Sequence, residues 1–276
     1  MQQVQVAAGA IEVEITGEGP PVVLLHGLLM DQSMWDSTMP FLPAGYRYVR
    51  PVLPLGAHRI PMAPEADLSL YAMARMVWEL LEALGLRGVT LVHTDWGGGL
   101  FLTALGLDDR VDRLVILPCE AFDNFPPGLP GKVAALATRI PGGIVVAARQ
   151  LRVPWLRRRR LLFGLMVKHR IDQSLIVSWT ESCLRDARIR RDLRKYTSSR
   201  FDKAELVERT QALADFQGEA LVLWAPENRV MPMAHGESLA ALMPHARLEL
   251  VEDAFVLSMI DQPERVGAAI TKFLTA

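Results

Sequence analysis

Apolar and polar residues alternate at Val4-Gln5-Val6 and again along Ile11-Glu12-Val13-Glu14-Ile15. A period of two puts every second side chain on one face, so both segments read as half-buried strands with a turn at Gly9 between them. Val22-Val23-Leu24-Leu25 is unbroken apolar sequence, as in a strand covered on both faces. Val89-Thr90-Leu91-Val92 and Leu114-Val115-Ile116-Leu117 read the same way, and strand character returns at Ala220–Trp224 and Leu248–Val251. Tyr48–Leu53 is a further short strand, weakened by Pro51. Between Leu70 and Leu84 the period lengthens. Leu70, Met73, Ala74, Val77, Leu81 and Leu84 fall on one helical face, with Asp67 or Ser69 to cap its start and Gly85 its end. A glycine-rich helix is expected from Gly97, and a last helix after Pro263 with Val266, Ile270, Phe273 and Leu274 on one side.

Strand–helix–strand alternation predicts an α/β fold with a mostly parallel sheet and right-handed crossovers. From residue 124 to 213 the alternation stops, and the chain becomes helical and basic, punctuated by Pro126-Pro127, Pro130, Pro141-Gly142-Gly143 and Pro154. The expected organisation is a core built from 1–123 and 214–276, with 124–213 inserted as a helical cap over the C-terminal edge of the strands.

Composition narrows the class. Half of the 276 residues are hydrophobic, enough for a sizeable core. Two cysteines, Cys119 and Cys183, make no disulfide framework, and no signal sequence or membrane-length apolar run is visible. A cytoplasmic protein with no membrane partner is the expectation. The net charge of −1 hides an asymmetry: residues 139–203 carry 17 Lys/Arg against 5 Asp/Glu. That segment, with its run Arg157-Arg158-Arg159-Arg160, is either a solvated helix face or a surface for an anionic substrate or an acidic carrier protein. No nucleic-acid-binding motif accompanies it.

The chemistry centres on Leu91-Val92-His93-Thr94-Asp95-Trp96-Gly97-Gly98-Gly99, which follows a strand. A sharp turn there lifts one side chain clear of the sheet, and a carboxylate so placed can attack carbon and form an ester. Read locally, Asp95 is equally a helix cap. Upstream, Leu24-Leu25-His26-Gly27-Leu28 places a second turn at the end of a buried strand. Together these segments resemble the α/β-hydrolase superfamily, over nearly the whole chain. Asp-Trp-Gly-Gly is similar to the nucleophile elbow of haloalkane dehalogenases and epoxide hydrolases. The resemblance implies Asp95 as nucleophile, an oxyanion hole from the Leu28 and Trp96 N–H groups, and the Trp96 indole as a leaving-group donor. It also implies Glu120, just past a core strand, as a catalytic acid.

The departures matter as much. Phe255, in Val251-Glu252-Asp253-Ala254-Phe255-Val256-Leu257, stands where the superfamily places its water-activating histidine, and phenyl accepts no proton. Asn228 stands at an alternative acid position, Leu28 where some dehalogenases carry a halide-binding asparagine, and Leu29 where epoxide hydrolases carry a proline. The chain also resembles a group of actinobacterial α/β-hydrolase-like proteins that likewise lack the histidine. The shared stretches are Leu53-Pro54-Leu55-Gly56-Ala57-His58-Arg59 and Cys119-Glu120-Ala121-Phe122-Asp123-Asn124-Phe125-Pro126-Pro127.

Of the six histidines, His58 is the leading substitute base, because its loop follows a strand opening on the active-site edge. His26 and His93 read as packing residues, His169 as a surface residue of the cap, and His235 and His245 as exposed. Arg59 could pair with Asp95. Arg59, Phe122, Asn228 and Phe255 complete the expected pocket. No metal or cofactor is expected. Three readings stay open: an Asp95 hydrolase on a small apolar substrate, a non-hydrolytic cyclase, dehydratase or lyase using Asp95 and Glu120 as acid and base, and a small-molecule-binding protein.

Overall fold

The computed structural model describes residues 1–199 and 202–276; Arg200, counted in the basic balance, lies outside the described residues. Among the described residues, eight strands form one sheet: β1 (Gln2–Val6), β2 (Gly9–Thr16), β3 (Pro21–Leu24), β4 (Arg47–Pro51), β5 (Val89–Asp95), β6 (Val111–Cys119), β7 (Glu219–Trp224) and β8 (Ala246–Leu250). Their order is β1-β2-β4-β3-β5-β6-β7-β8. β1–β2 and β2–β4 pair antiparallel, and every later pair is parallel. The period-two signal has its cause in β2, where Ile11 and Val13 are buried and Glu12 and Glu14 are part-exposed. β5 is buried at every position, as the unbroken apolar run of a central parallel strand requires. Pro51 ends β4 beyond its last pairing with β3, so its missing N–H interrupts no bond there.

The helices are α1 (Leu70–Ala83), α2 (Leu100–Ala104), α3 (Gly128–Arg139), α4 (Gly143–Leu151), α5 (Pro154–Arg157), α6 (Gln173–Arg185), α7 (Ala187–Thr197), α8 (Lys203–Gln211), α9 (Met233–Leu242), α10 (Ser258–Asp261) and α11 (Pro263–Leu274). The Ser69 hydroxyl caps α1 by accepting the Ala72 N–H. In α11, Val266, Ile270, Phe273 and Leu274 are buried together. Helices α3 to α8 all lie between β6 and β7 in the chain. Buried polar contacts tie them to the core: Trp179 Nε1–H donates to Asp31 Oδ1 at 3.0 Å, and the N–H groups of Lys168 and His169 donate to Asp261.

Two expectations are corrected. The helix after Asp95 begins at Leu100, not at Gly97. Gly98 sits at φ +75°, in the left-handed region, and its N–H goes to Glu120 instead of into a helix. Gly9 opens β2 and pairs with Val6, and the turn falls at residues 7–8.

Candidate active site

Asp95 ends β5 at φ +53°, a conformation costly for a residue with a Cβ and held here by its surroundings. The turn after β3 comes so close that a Cβ on Gly27 would lie 2.1 Å from Asp95 Oδ2. Only glycine leaves that room. His26 fixes the turn: Nδ1 donates to Gly27 O at 2.9 Å, and Nε2 accepts the Leu53 N–H at 2.8 Å. Burial pulls His26 down to about 4, so the ring stays neutral in that role. The Leu28 N–H, so positioned, donates to Asp95 Oδ2 at 3.2 Å, and the Trp96 backbone N–H adds to the pull of that bond toward the charged form. Of the two N–H groups expected to form an oxyanion hole, that of Leu28 therefore holds Asp95 itself. Burial still outweighs them and pushes the carboxyl up to about 7.

Above Asp95 lies a cavity of about 90 Å³. Leu28, Leu29 and Trp96 line it from the core, and Ala137, Leu162 and Leu193 from the inserted segment. Thr138 and Thr197 also face it, but their hydroxyls bond to each other at 2.8 Å and to backbone carbonyls. The Trp96 indole N–H is different. The ring is part of the cavity wall, and its N–H is buried with no hydrogen-bond partner among the described residues. A ligand atom accepting there would remove the cost of an unmet donor.

A second carboxyl lies alongside. Asp95 pairs with Cys119 across β5 and β6, which brings Glu120 next to it at the sheet edge. Glu120 does not line the cavity; its Oε1 accepts the Gly98 N–H at 2.6 Å. Burial, reinforced by Asp95, pushes Glu120 well above the usual carboxylate range. Tyr196 of α7 joins this group. Its ring centre is 5.7 Å from that of Trp96, and its buried hydroxyl has no partner among the described residues. Burial, with Glu120 and Asp95 nearby, pushes the phenol far up. Tyr196 was not singled out in the sequence; its one signal is the buried helical spacing Ile189, Leu193, Tyr196.

The remaining candidates lie elsewhere. His58 is buried away from the cavity, with Nε2–H toward Asp192 Oδ2 at 3.3 Å and Nδ1 accepting the Gly56 N–H at 3.2 Å. Both ring nitrogens are occupied, so no lone pair is left to take a proton from water. Burial outweighs Asp192 and holds His58 below its ordinary range. Arg59 pairs with Glu12 at 2.8 Å and Asp31 at 3.7 Å, not with Asp95. Phe122 gives its N–H to Thr210 Oγ1 and packs its ring edge against His235, which is half-buried and not exposed as expected. Asn228 Oδ1 accepts the N–H groups of Val230 and Met231, shaping a turn that delivers Val230 to the cavity wall. Phe255 lies in the loop after β8, its N–H bonded to Asp261 Oδ2 at 3.0 Å. None of these five side chains lines the cavity over Asp95. No cluster of three or more His, Cys, Asp or Glu side chains suited to a metal ion occurs among the described residues.

A family model described as alpha/beta hydrolase fold matches residues 20–263. An uncharacterised protein of Mycobacterium bovis is 25% identical, over 94% of this chain and 76% of its own length. A 2-hydroxy-6-oxo-6-phenylhexa-2,4-dienoate hydrolase of Burkholderia cepacia is 28% identical, over 87% of this chain and 82% of its own. Among solved structures, a meta-cleavage product hydrolase of Pseudomonas fluorescens superimposes with a TM-score of 0.78 at 19% identity, covering 100% of this chain and 97% of that one.

Proposed function

Because the chain belongs to the alpha/beta hydrolase fold family, we propose that it is an enzyme whose Asp95 carboxylate attacks carbon in a small, largely apolar substrate held in the capped pocket. One observation carries this reading: the Leu28 N–H is already filled by Asp95 Oδ2, and the Trp96 backbone N–H favours the same carboxylate. A serine-type ester hydrolysis needs those donors for the substrate's oxyanion. Attack at a saturated carbon builds no tetrahedral oxyanion at the carbon attacked and leaves the donors free to orient the nucleophile.

The step balances simply. The second Asp95 oxygen forms a C–O bond and the bond from carbon to halide or epoxide oxygen breaks; the electron pair leaves with the halide ion, or stays on the epoxide oxygen, which remains attached to the product and takes a proton from water. Trp96 lines the cavity and its buried Nε1–H is unpartnered among the described residues, which makes it our candidate donor to the halide or the epoxide oxygen. Release of the ester then requires a base for water. Phe255 offers none, and His58 has no lone pair to spare. Incubation with a panel of alkyl halides and epoxides, followed by intact-protein mass spectrometry, tests the reading. A stable adduct abolished by Asp95→Asn supports it, and no adduct across the panel overturns it.

A second reading rests on a different observation. Glu120 and the Tyr196 hydroxyl sit beside Asp95, and burial pushes all three groups up. Such a group can hold a proton at neutral pH and pass it to a substrate, as a cyclisation or elimination requires. Loss of turnover in both Asp95→Asn and Glu120→Gln, with no covalent species, selects it.

A further inference from the structure

The large apolar side chains left exposed are concentrated in the inserted segment, at Leu129, Leu136, Ile140, Val146, Trp155 and Leu161. Around α5 they are threaded with cations. Trp155 is 63% exposed, then come the exposed Arg158, Arg159 and Arg160, then Leu161 at 51%. Arg159 lies over the Trp155 ring, 5.6 Å from its centre. Arg157 differs from its neighbours: its guanidinium turns inward to Gln173 Oε1 at 2.5 Å. Arg158, Arg160 and Arg170 have no acidic partner among the described residues. Trp155, Arg158, His169 and Arg170 border a cleft of about 600 Å³, which shares Phe163 with the wall of the Asp95 cavity. Leu161 borders that cavity too.

We propose that this face of the inserted helices docks on an anionic lipid surface, with Trp155 and Leu161 entering the headgroup layer and the cleft bordered by Arg158 and Arg170 taking a lipid phosphate, while His169 stays paired with Asp253 at 2.9 Å. Cations alone would suit any polyanion. Cations interleaved with an exposed indole and exposed branched aliphatics suit a partner that offers negative charge and apolar depth together. An acidic carrier protein supplies the charge but gives Trp155 nothing to enter. No helix among the described residues is long and apolar enough to cross a membrane. Surface docking needs none, so the expectation of no membrane partner, drawn from span length, does not bear on it. Because Leu161 is both exposed and part of the cavity wall, an apolar substrate dissolved in the lipid would meet the pocket at the docked face.

Co-sedimentation with vesicles tests this independently of any chemistry at Asp95. The full chain is expected to sediment with phosphatidylcholine vesicles containing phosphatidylglycerol, not with phosphatidylcholine alone, and to be released by salt. Arg158→Glu and Arg170→Glu should each weaken binding by about fivefold or more. Trp155→Ala should weaken it as well, with circular dichroism unchanged because these side chains are exposed. Arg75→Glu on the exposed side of α1 should leave binding intact. The proposal is overturned by equal sedimentation with both vesicle types, by none with either, or by an equal loss in Arg75→Glu. Tighter binding to a soluble acidic carrier protein than to the mixed vesicles would also overturn it.

Discussion

His58 and Asp192 meet at 3.3 Å across 134 residues of chain, one on the loop after β4 and the other on α7. Asp192 Oδ2 also accepts the Met62 N–H at 2.8 Å, and Arg191 pairs with its other oxygen at 2.7 Å. Burial alone would raise the Asp192 carboxyl, but these contacts hold it below the usual range. The pair is an anchor between the core and an inserted helix. His58→Ala should therefore lower stability by about 2 kcal/mol, the worth of hydrogen bonds to a charged group. Chemical denaturation measures the loss. Adduct formation at Asp95, assayed where the variant is folded, should be nearly unchanged; a parent that turns over repeatedly while His58→Ala stops at the adduct would restore His58 as a catalytic base.

Gly27→Ala tests the seat of Asp95 without touching its charge. The new methyl would lie 2.1 Å from Oδ2, so the carboxylate must swing away from the Leu28 N–H. A displacement near 1 Å should cost about a hundredfold in the rate of alkylation. Single-turnover mass spectrometry reads it, and a rate equal to that of the parent would mean the seat is irrelevant to attack.

The pH dependence of that alkylation follows from burial of Asp95. Attack requires the charged form, and the carboxyl titrates at about 7. The rate should rise with pH through neutrality and level off above it. A rate already flat from pH 5 upward would show an ordinary, solvated carboxylate.

His93 gives a stability prediction of the opposite chemical kind. Both ring nitrogens are buried without partners among the described residues, and burial pulls the group down to about 3. The folded state refuses a proton that the unfolded chain accepts near 6.5, so stability must fall as pH drops below that value. At pH 5 the loss from this residue is about 2 kcal/mol. His93→Leu should remove that acid sensitivity and raise the melting temperature at pH 7. A variant that melts at or below the parent temperature would indicate a partner for the ring.

Periodicity carried the sheet well, because burial alternates in β2 and is complete in β5, and both patterns are written directly in side-chain type. The Leu28, Asp95 and Trp96 grouping was expected only from the resemblance of His26-Gly27-Leu28 and Asp95-Trp96-Gly97-Gly98 to the two turns of the superfamily. What the sequence concealed depends on distant contacts or backbone freedom. Glu120 spends one oxygen on the Gly98 N–H because Gly98 leaves the helical region, and nothing in a glycine triplet announces which member will do so. His58 looked like a base because its loop opens toward the site, yet Asp192 arrives from far along the chain to claim it. Tyr196 reaches Trp96 from a helix whose sequence signals only an amphipathic basic face.

The polar fastenings of the inserted segment bear on traffic. Asp192 at His58, Trp179 at Asp31, and the Lys168 and His169 N–H groups at Asp261 grip the core at separate places. Swinging the segment away as a lid would break all three together, and the bonds at Asp192 and Asp31 lie buried, where such bonds are worth most. Molecules entering or leaving the chamber over Asp95 are better served by rotamer changes of flexible side chains at its rim, among them the exposed Leu161. Turnover would then be gated by side-chain motion faster than domain opening, and selected by the width of a fixed doorway.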